Sequence, residues 1–173
     1  LRIAVISTAI TVIAGYGLGY YVVFHAARKR LLILLLFVSM LVDLVVRIFG
    51  WMVFFAGEGV FSTILQWIGI IDEPYSLLFT QTIIIVGIVQ FCLPIMALVI
   101  IGVLSGLDQS ILEAARNLGA SKFNTFRYVT FPQSLDGIFA GGSLIFALSV
   151  SAFVMPQLLG GAQNLMLANS VYN

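Results

Sequence analysis

The sequence predicts an all-α integral membrane protein in which four spans surround one polar helical hairpin. Of its 173 residues, 61% are hydrophobic and 9% are charged, whereas soluble domains carry about 25% charged residues. Its mean hydropathy is +1.14, too apolar for a soluble core to hide. The apolar stretches are continuous and long enough to cross about 30 Å of hydrocarbon as helices. They lack the two-residue alternation of membrane β-strands.

The predicted first span covers residues 3–24. Gly15 and Gly19 are four apart, a spacing that lets another helix approach closely, although the glycines could instead merely loosen the helix. Residues 25–30, HAARKR, follow with three consecutive cations. Because cytoplasmic loops concentrate Lys and Arg, we expect this loop in the cytoplasm.

The predicted second span, 31–55, runs outward and contains Asp43 and Arg47. A charge at membrane depth costs about 2.5–3.5 kcal/mol on insertion scales, and a spacing of four places both residues on one face of a helix. Two interpretations stay open. The residues are either a mutually neutralised pair that lets the helix lie in a bundle, or one or both line a permeation path.

Residues 56–76 contain acidic residues but no Lys or Arg, which predicts an outer loop. A short amphipathic helix over 62–71 would lie along the membrane surface there. The third span, 77–104, then runs inward and contains Gln81 and Gln90. Amides in a span favour packing against other helices, or a pathway, over contact with lipid.

The predicted fourth span, 132–155, runs outward again. Ser143, Ala147 and Ser151 recur every four residues and predict a second face for close helix packing. Residues 157–173 contain no cations and are expected outside.

Between the third and fourth spans lies the polar hairpin, residues 105–131. It is expected in the cytoplasm, two crossings from the loop 25–30, because it carries three cations. These are Arg116, Lys122 and Arg127.

Local signals predict the shape of this hairpin. Ser110 and Glu113 have the spacing of a capping box, and Gly119 stands where a helix would end in a left-handed residue. Ser121 is placed to cap a second short helix, and the two residues before Pro132 are expected to be extended. The pattern indicates a docking element for a partner outside the membrane; the alternative is an ordinary inter-helix loop.

A longer motif runs through the hairpin. The order Glu113-Ala114-Ala115, three residues, Gly119, nine residues, then Val129-x-Phe131-Pro132 resembles the EAA signature of permease subunits in binding-protein-dependent ABC importers. That signature is usually written EAA, three residues, G, nine residues, then I-x-L-P, so Val and Phe replace its Ile and Leu. Three further stretches resemble the spermidine/putrescine permease subfamily: IDEP at 71–74, LEAARNLGAS at 112–121 and AFVMPQLLGG at 152–161.

The resemblance implies the transmembrane domain of a type I ABC importer, in a bacterial cytoplasmic (inner) membrane. Such subunits usually have six spans, so one span before Leu1 and one after Asn173 are expected. The hairpin would be the coupling helix that docks on an ATPase subunit. The residues that match this role are Glu113, Ala114, Ala115, Arg116, Gly119 and Ala120.

The resemblance also implies partners: two ATPase subunits, a second permease that we expect to be different but homologous, and a soluble substrate-binding protein. Glu58, Asp72 and Glu73 either contact that binding protein or are solvated loop charges. ATP and Mg are expected in the ATPase, and we expect no cofactor, metal site, catalytic residue or nucleic acid in this chain. The expected substrate is a polyamine such as spermidine or putrescine, or a related amine or opine.

A cationic substrate would be attracted by carboxylates and aromatic faces along the path. The candidate path residues are Asp43, Arg47, Trp51, Tyr75, Gln81 and Gln90, and the alternative is that they only pack. In function, the competing hypothesis is an ion-coupled secondary transporter or channel subunit, and a scaffolding membrane subunit is another. Neither requires a hairpin that docks on an ATPase.

Overall fold

Long apolar helices set the architecture. The computed structural model describes residues 1–57, 59–69, 78 and 80–152, and all regular structure in them is helical. Within these residues, four stretches are long and apolar enough to cross a membrane. They are Arg2–Phe24, Val45–Trp67, Gln81–Ser105 and Lys122–Ser151. The predicted all-α membrane fold is confirmed.

The described part of the chain contains eight α-helices and one π-helical turn. In chain order they are α1 (Arg2–Phe24), α2 (Lys29–Leu41), α3 (Leu44–Phe55), α4 (Val60–Trp67), α5 (Gln81–Ser105), α6 (Gln109–Asn117), α7 (Lys122–Thr125), a π-helical turn (Phe126–Thr130) and α8 (Phe131–Ser151). The stretches predicted as 3–24 and 77–104 correspond to α1 and α5. Helix α6, α7 and the π-turn form the hairpin.

Helix α5 is the centre of the bundle, and it makes its most extensive contact with α1. Both α1 and α5 also pack against α8. Residues four apart on α5, Ile84, Ile88, Cys92, Met96, Ile100 and Leu104, are all at most 2% exposed. The three helices therefore share one apolar core.

The glycines of α1 make this packing possible. A Cβ atom on Gly15 would lie 2.6 Å from Met96 Cγ, and one on Gly19 would lie 2.7 Å from Ile100 Cγ2. The predicted close-approach face is therefore confirmed, since only glycine leaves room for α5 there. Gly17 faces open space.

The packing face predicted for α8 does not pack within the described part of this chain, because Ser143, Ala147 and Ser151 are exposed. The buried stripe lies elsewhere on the helix and consists of Gly137, Gly141, Ile145 and Ser149. A Cβ atom on Gly137 would lie 2.5 Å from Val103 Cγ2, and one on Gly141 would lie 2.7 Å from Met96 Sδ. Both stripes have the same four-residue period, so the period did not identify the face that α5 contacts.

The predicted second span, 31–55, is not one helix. Helix α2 ends before Val42 and α3 begins after Asp43, and both of these residues are extended, with ψ of 121° and 141°. The 13 residues of α2 reach about 20 Å, which is too short to cross a membrane alone. By length and composition, the stretch long enough to cross is Val45–Trp67.

The fourth membrane helix also differs from its prediction at its start. The two residues before Pro132 are helical, with φ and ψ of −69° and −47° at Thr130 and −65° and −48° at Phe131, so the expected extended segment is wrong. The Phe131 N–H keeps a bond to the Phe126 carbonyl in the wider π-turn. Proline itself lies in the first turn of α8, where its missing N–H is tolerated.

Candidate functional site: the hairpin and the broken helix

The first helix of the hairpin begins at an aspartate. The Ser110 N–H donates to Asp108 Oδ1 at 2.9 Å, and this bond holds the pKa of the Asp108 carboxyl below its usual range. The cap is thus present at neutral pH and would be lost only as the pH falls through that lowered pKa. The predicted capping box is wrong because Ser110 already lies inside α6. Glu113, which would have completed that box, is exposed.

The turn between the two short helices follows the prediction. Gly119 has a φ of +84°, and the Ala120 N–H donates to the Ala115 carbonyl at 3.1 Å, the bond expected after a left-handed helix end. Ser121 Oγ then accepts from the Asn124 N–H at 3.2 Å and caps α7. The predicted glycine turn and serine cap are both confirmed.

Helix α6 presents a mixed surface to solvent. Leu112 is 4% exposed and packs inward, whereas Ile111 is 43% and Leu118 is 88% exposed. Glu113 and Ala114, which lie between Ile111 and Leu118 in the sequence, are also exposed. Ile111 and Leu118 thus give this otherwise polar segment an exposed apolar surface.

The predicted coupling residues therefore differ in accessibility. Glu113, Ala114 and Gly119 are exposed, and Ala115 and Ala120 are half-buried. The side chain of Arg116 lies outside what the structure describes.

An aromatic cluster joins the hairpin to the membrane helices. The ring of Phe126 lies 6.3 Å from Tyr16, 5.2 Å from Tyr20 and 6.0 Å from Phe131, measured between centroids. Its members come from the π-turn, α1 and α8. Movement of the hairpin would therefore press directly on two helices of the bundle.

A hydrogen bond lies beside this cluster. Ser134 Oγ is 3.1 Å from Tyr16 Oη and 2.8 Å from the Phe131 carbonyl. Serine has one O–H to donate. The Ser134 hydroxyl therefore donates to the Phe131 carbonyl and accepts from the Tyr16 hydroxyl. Sequence reasoning missed this contact because it joins residues 118 apart, and no local pattern reports such a pair.

The break between α2 and α3 is capped on both sides by charged residues. Asp43 Oδ1 accepts from the Val45 N–H at 2.8 Å and caps α3. The buried guanidinium of Arg47 donates to the carbonyls of Ser39 and Val42, at the end of α2. The two charges satisfy backbone groups that a broken helix would otherwise leave unpaired.

This arrangement changes the interpretation of the two charges. Among the described residues, no ion pair joins Asp43 to Arg47, and Asp43 lies outside the helix, so the two do not share a helix face. Arg47 instead reaches α5, where its Nη1 lies 3.5 Å from Gln90 Oε1 and its guanidinium carbon lies 5.7 Å from the centre of the Phe91 ring.

The other candidate path residues are not gathered around this pair. Trp51 stacks on Phe55 with ring centroids 5.3 Å apart. Gln81 is exposed at the first position of α5. A side-chain hydrogen bond joins two of the described candidates, Arg47 and Gln90. Tyr75 lies outside the described residues, as do the outer-loop acids Glu58, Asp72 and Glu73.

Comparison with known proteins identifies the family. The model of the family described as binding-protein-dependent transport system inner membrane component matches residues 7–172. The chain belongs to this family. It is thus a multi-pass protein of the inner membrane, as predicted.

Individual relatives agree with this assignment. The chain is 34% identical over 172 residues to the spermidine/putrescine transport system permease protein PotB of Escherichia coli, covering 99% of this chain and 62% of that protein. It is 33% identical to PotB of Haemophilus influenzae, covering 99% and 60%. Over 99 residues it is 32% identical to the permease protein PotC of Escherichia coli, covering 57% and 35%. The chain thus spans about three-fifths of the length of its PotB relatives.

Proposed function

We propose that this chain is the membrane-spanning permease subunit of an ATP-driven importer and forms part of the translocation path for a small solute. The observation that carries this proposal is the combination of the family match over residues 7–172 with the exposed, partly apolar surface of α6. An importer that uses ATP needs a rigid contact between its membrane helices and a soluble ATPase. The hairpin offers such a contact.

The chemistry of α6 suits a protein groove. The exposed Leu118 and Ile111 supply apolar surface that becomes buried on docking. Ala114 allows close approach, and Glu113 supplies a directional polar contact that tolerates few wrong partners. Closure of two ATPase subunits on ATP and Mg would move this helix, and the Phe126 cluster would pass the movement to α1 and α8.

The remaining partners follow from this role. A soluble binding protein would deliver the solute from outside, and a second, homologous permease would complete the path. The chain itself would catalyse no reaction and hold no cofactor, because ATP hydrolysis takes place in the separate ATPase subunits.

The proposed solute is a polyamine or a related small amine, because the PotB relatives are named for spermidine and putrescine. Asp43, which lies just before the membrane stretch Val45–Trp67, is the candidate carboxylate for such a cation. Arg47 is a weak candidate because its guanidinium is committed to the end of α2 and to Gln90. Uptake of labelled spermidine by the reconstituted transporter, competed with putrescine and with a neutral amino acid, tests the solute class.

The coupling role is tested in the purified complex with Glu113→Lys and Gly119→Val. We expect both variants to assemble but to lose uptake and substrate-stimulated ATPase activity. Charge reversal at Glu113 changes the docking surface. Valine at Gly119 strains the left-handed turn that holds α6.

The matched control is Asn124→Lys, which also adds a lysine to an exposed position of the hairpin but lies on α7. It should retain coupled ATPase activity. Full uptake and ATPase activity in both test variants would show that α6 does not couple the two processes. Equal loss in the control would indicate a general effect of charge rather than a specific surface.

A further inference from the structure

An apolar groove lies where the hairpin meets the membrane helices. Its volume is about 430 Å³, and α1, α7, the π-turn and α8 all contribute side chains. Among the residues lining it are Ile13, Tyr16, Phe123, Phe126, Arg127 and Leu135. Arg127 is the one charged residue of this lining.

The hairpin turns aromatic side chains toward this region although its sequence reads as water-facing. Phe123 is 66% and Tyr128 is 69% exposed. Tyrosine is enriched at membrane interfaces, where its ring lies in an apolar and its hydroxyl in a wet environment. The membrane surface would cover both rings if the second half of the hairpin lay against it.

Helix length places the groove relative to the bilayer. The helical run Lys122–Ser151 has 30 residues, or about 45 Å at 1.5 Å per residue, whereas a hydrocarbon core measures about 30 Å. The 21 residues of α8, about 31 Å, match that core. Arg127 precedes α8 by four residues, about 6 Å, which is the level of the lipid phosphates.

The depth of the groove fits one leaflet. Tyr16 and Ile13 precede Phe24, the cytoplasmic end of α1, by eight and eleven residues, about 12 and 17 Å. One leaflet contributes about half of the 30 Å core. The Phe126 ring lies 6.3 Å from Tyr16 and 5.2 Å from Tyr20, so the hairpin end of the groove is level with these tyrosines, and Ile13 marks its deeper end.

The charge at its mouth selects the headgroup. Arg127 is exposed, and its guanidinium carbon lies 5.7 Å from the centre of the Tyr128 ring. In the part of the chain that the structure describes, no carboxylate pairs with it. A guanidinium with free donors binds phosphate through two parallel hydrogen bonds.

We propose that this groove binds one anionic phospholipid of the cytoplasmic leaflet. Its phosphate bonds to Arg127, and one acyl chain lies between α1 and α8 over Ile13 and Leu135. This acyl chain would also touch Phe126, so the bound lipid stabilises the contact between the hairpin and the membrane helices. The inference needs only a membrane location and does not depend on the transport function.

The test is native mass spectrometry of the complete transporter with phosphatidylglycerol and phosphatidylcholine of identical acyl chains. Wild type should retain phosphatidylglycerol about fivefold better, since one basic residue near the surface contributes a factor of that order. Arg127→Gln should abolish this preference. Arg30→Gln, which removes an exposed cation from the other cytoplasmic loop, should leave it intact.

A second pair of variants tests the groove itself. Ile13 is 74% exposed, so Ile13→Trp fills the groove without disturbing the core and should reduce retention of both lipids. Ile10→Trp, on the same helix but outside the groove lining, should not. Equal retention of the two lipids by wild type, or an unchanged preference in Arg127→Gln, would overturn the proposal. So would a wild-type complex that retains neither lipid, as expected if another protein segment fills the groove.

Discussion

The hairpin and the broken helix use the same helix cap, an aspartate that accepts from a backbone N–H. Asp108 accepts from the N–H two residues on at 2.9 Å, and Asp43 does so at 2.8 Å. The two breaks differ in how the preceding carbonyls are satisfied. At the end of α5, the Gly106 N–H donates to the Gly102 and Val103 carbonyls, whereas at the end of α2 the guanidinium of Arg47 donates to the Ser39 and Val42 carbonyls. The end of α5 is thus satisfied by its own backbone, and the end of α2 by a long side chain.

The largest effect should follow removal of that guanidinium. Arg47→Met keeps an apolar side chain of similar length but leaves the carbonyls of Ser39 and Val42 without their donor. We expect a loss of about 3 kcal/mol in unfolding free energy, from the two carbonyls left without a hydrogen bond. Denaturant unfolding of the purified complex measures it.

Arg47→Lys is the matched variant for this experiment. Lysine keeps the charge but is a point donor without the planar fork, so it should restore only part of the stability. If Arg47→Met is as stable as wild type, the break is held by its own backbone preferences, and the contrast with the hairpin disappears.

The next effect concerns the glycine turn of the hairpin. Gly119→Ala should cost about 1–2 kcal/mol, because its φ of +84° is strained for any residue with a Cβ, although nothing lies within 4 Å of that Cβ. Amide hydrogen exchange in α6 should then accelerate by about tenfold. Gly17→Ala is the control, since its Cβ also meets open space but its backbone is helical. Unchanged exchange in Gly119→Ala would show that the turn is not what orders α6.

A smaller effect is expected at the contact between α1 and α8. The Tyr16→Phe and Ser134→Ala variants remove one hydroxyl each, and a double-mutant cycle should give a coupling of about 0.6 kcal/mol, the average for such bonds between membrane helices. The coupling energy is obtained from the unfolding free energies of wild type, the two single variants and the double variant. Strictly additive losses would mean that the 3.1 Å approach contributes no stability.

How far the sequence predicts the structure depends on how far each contact reaches along the chain. Gly119 and Ser121 were predicted correctly because their bonds join neighbouring residues. Among the described residues, four stretches are long and apolar enough to cross a membrane, the same number as the predicted spans. The break at Asp43 was not predicted, since its stability rests partly on the contact from Arg47 to Gln90, 43 residues away.

The spacing of small residues also predicts a contact only in part, because the contact depends on a distant helix. The Gly15 and Gly19 face was predicted because glycine has few other uses in a membrane helix. On α8, two stripes share one period, and only the position of α5 decides that Gly141, rather than Ser143, is buried. A pattern of residues identifies a candidate face, but the partner helix selects it.

Neutralising the two aspartate caps should change stability least. These variants also test most directly whether Asp43 and Asp108 differ in function. Asparagine caps a helix about as well as aspartate, so Asp43→Asn and Asp108→Asn should both leave unfolding near wild type at neutral pH. Their effects on transport should differ. If Asp43 attracts a cationic solute, Asp43→Asn raises the KM for uptake while Asp108→Asn, outside the membrane, does not. Unchanged kinetics in Asp43→Asn would leave Asp43 with its capping role alone, because the substitution removes the charge and keeps the cap.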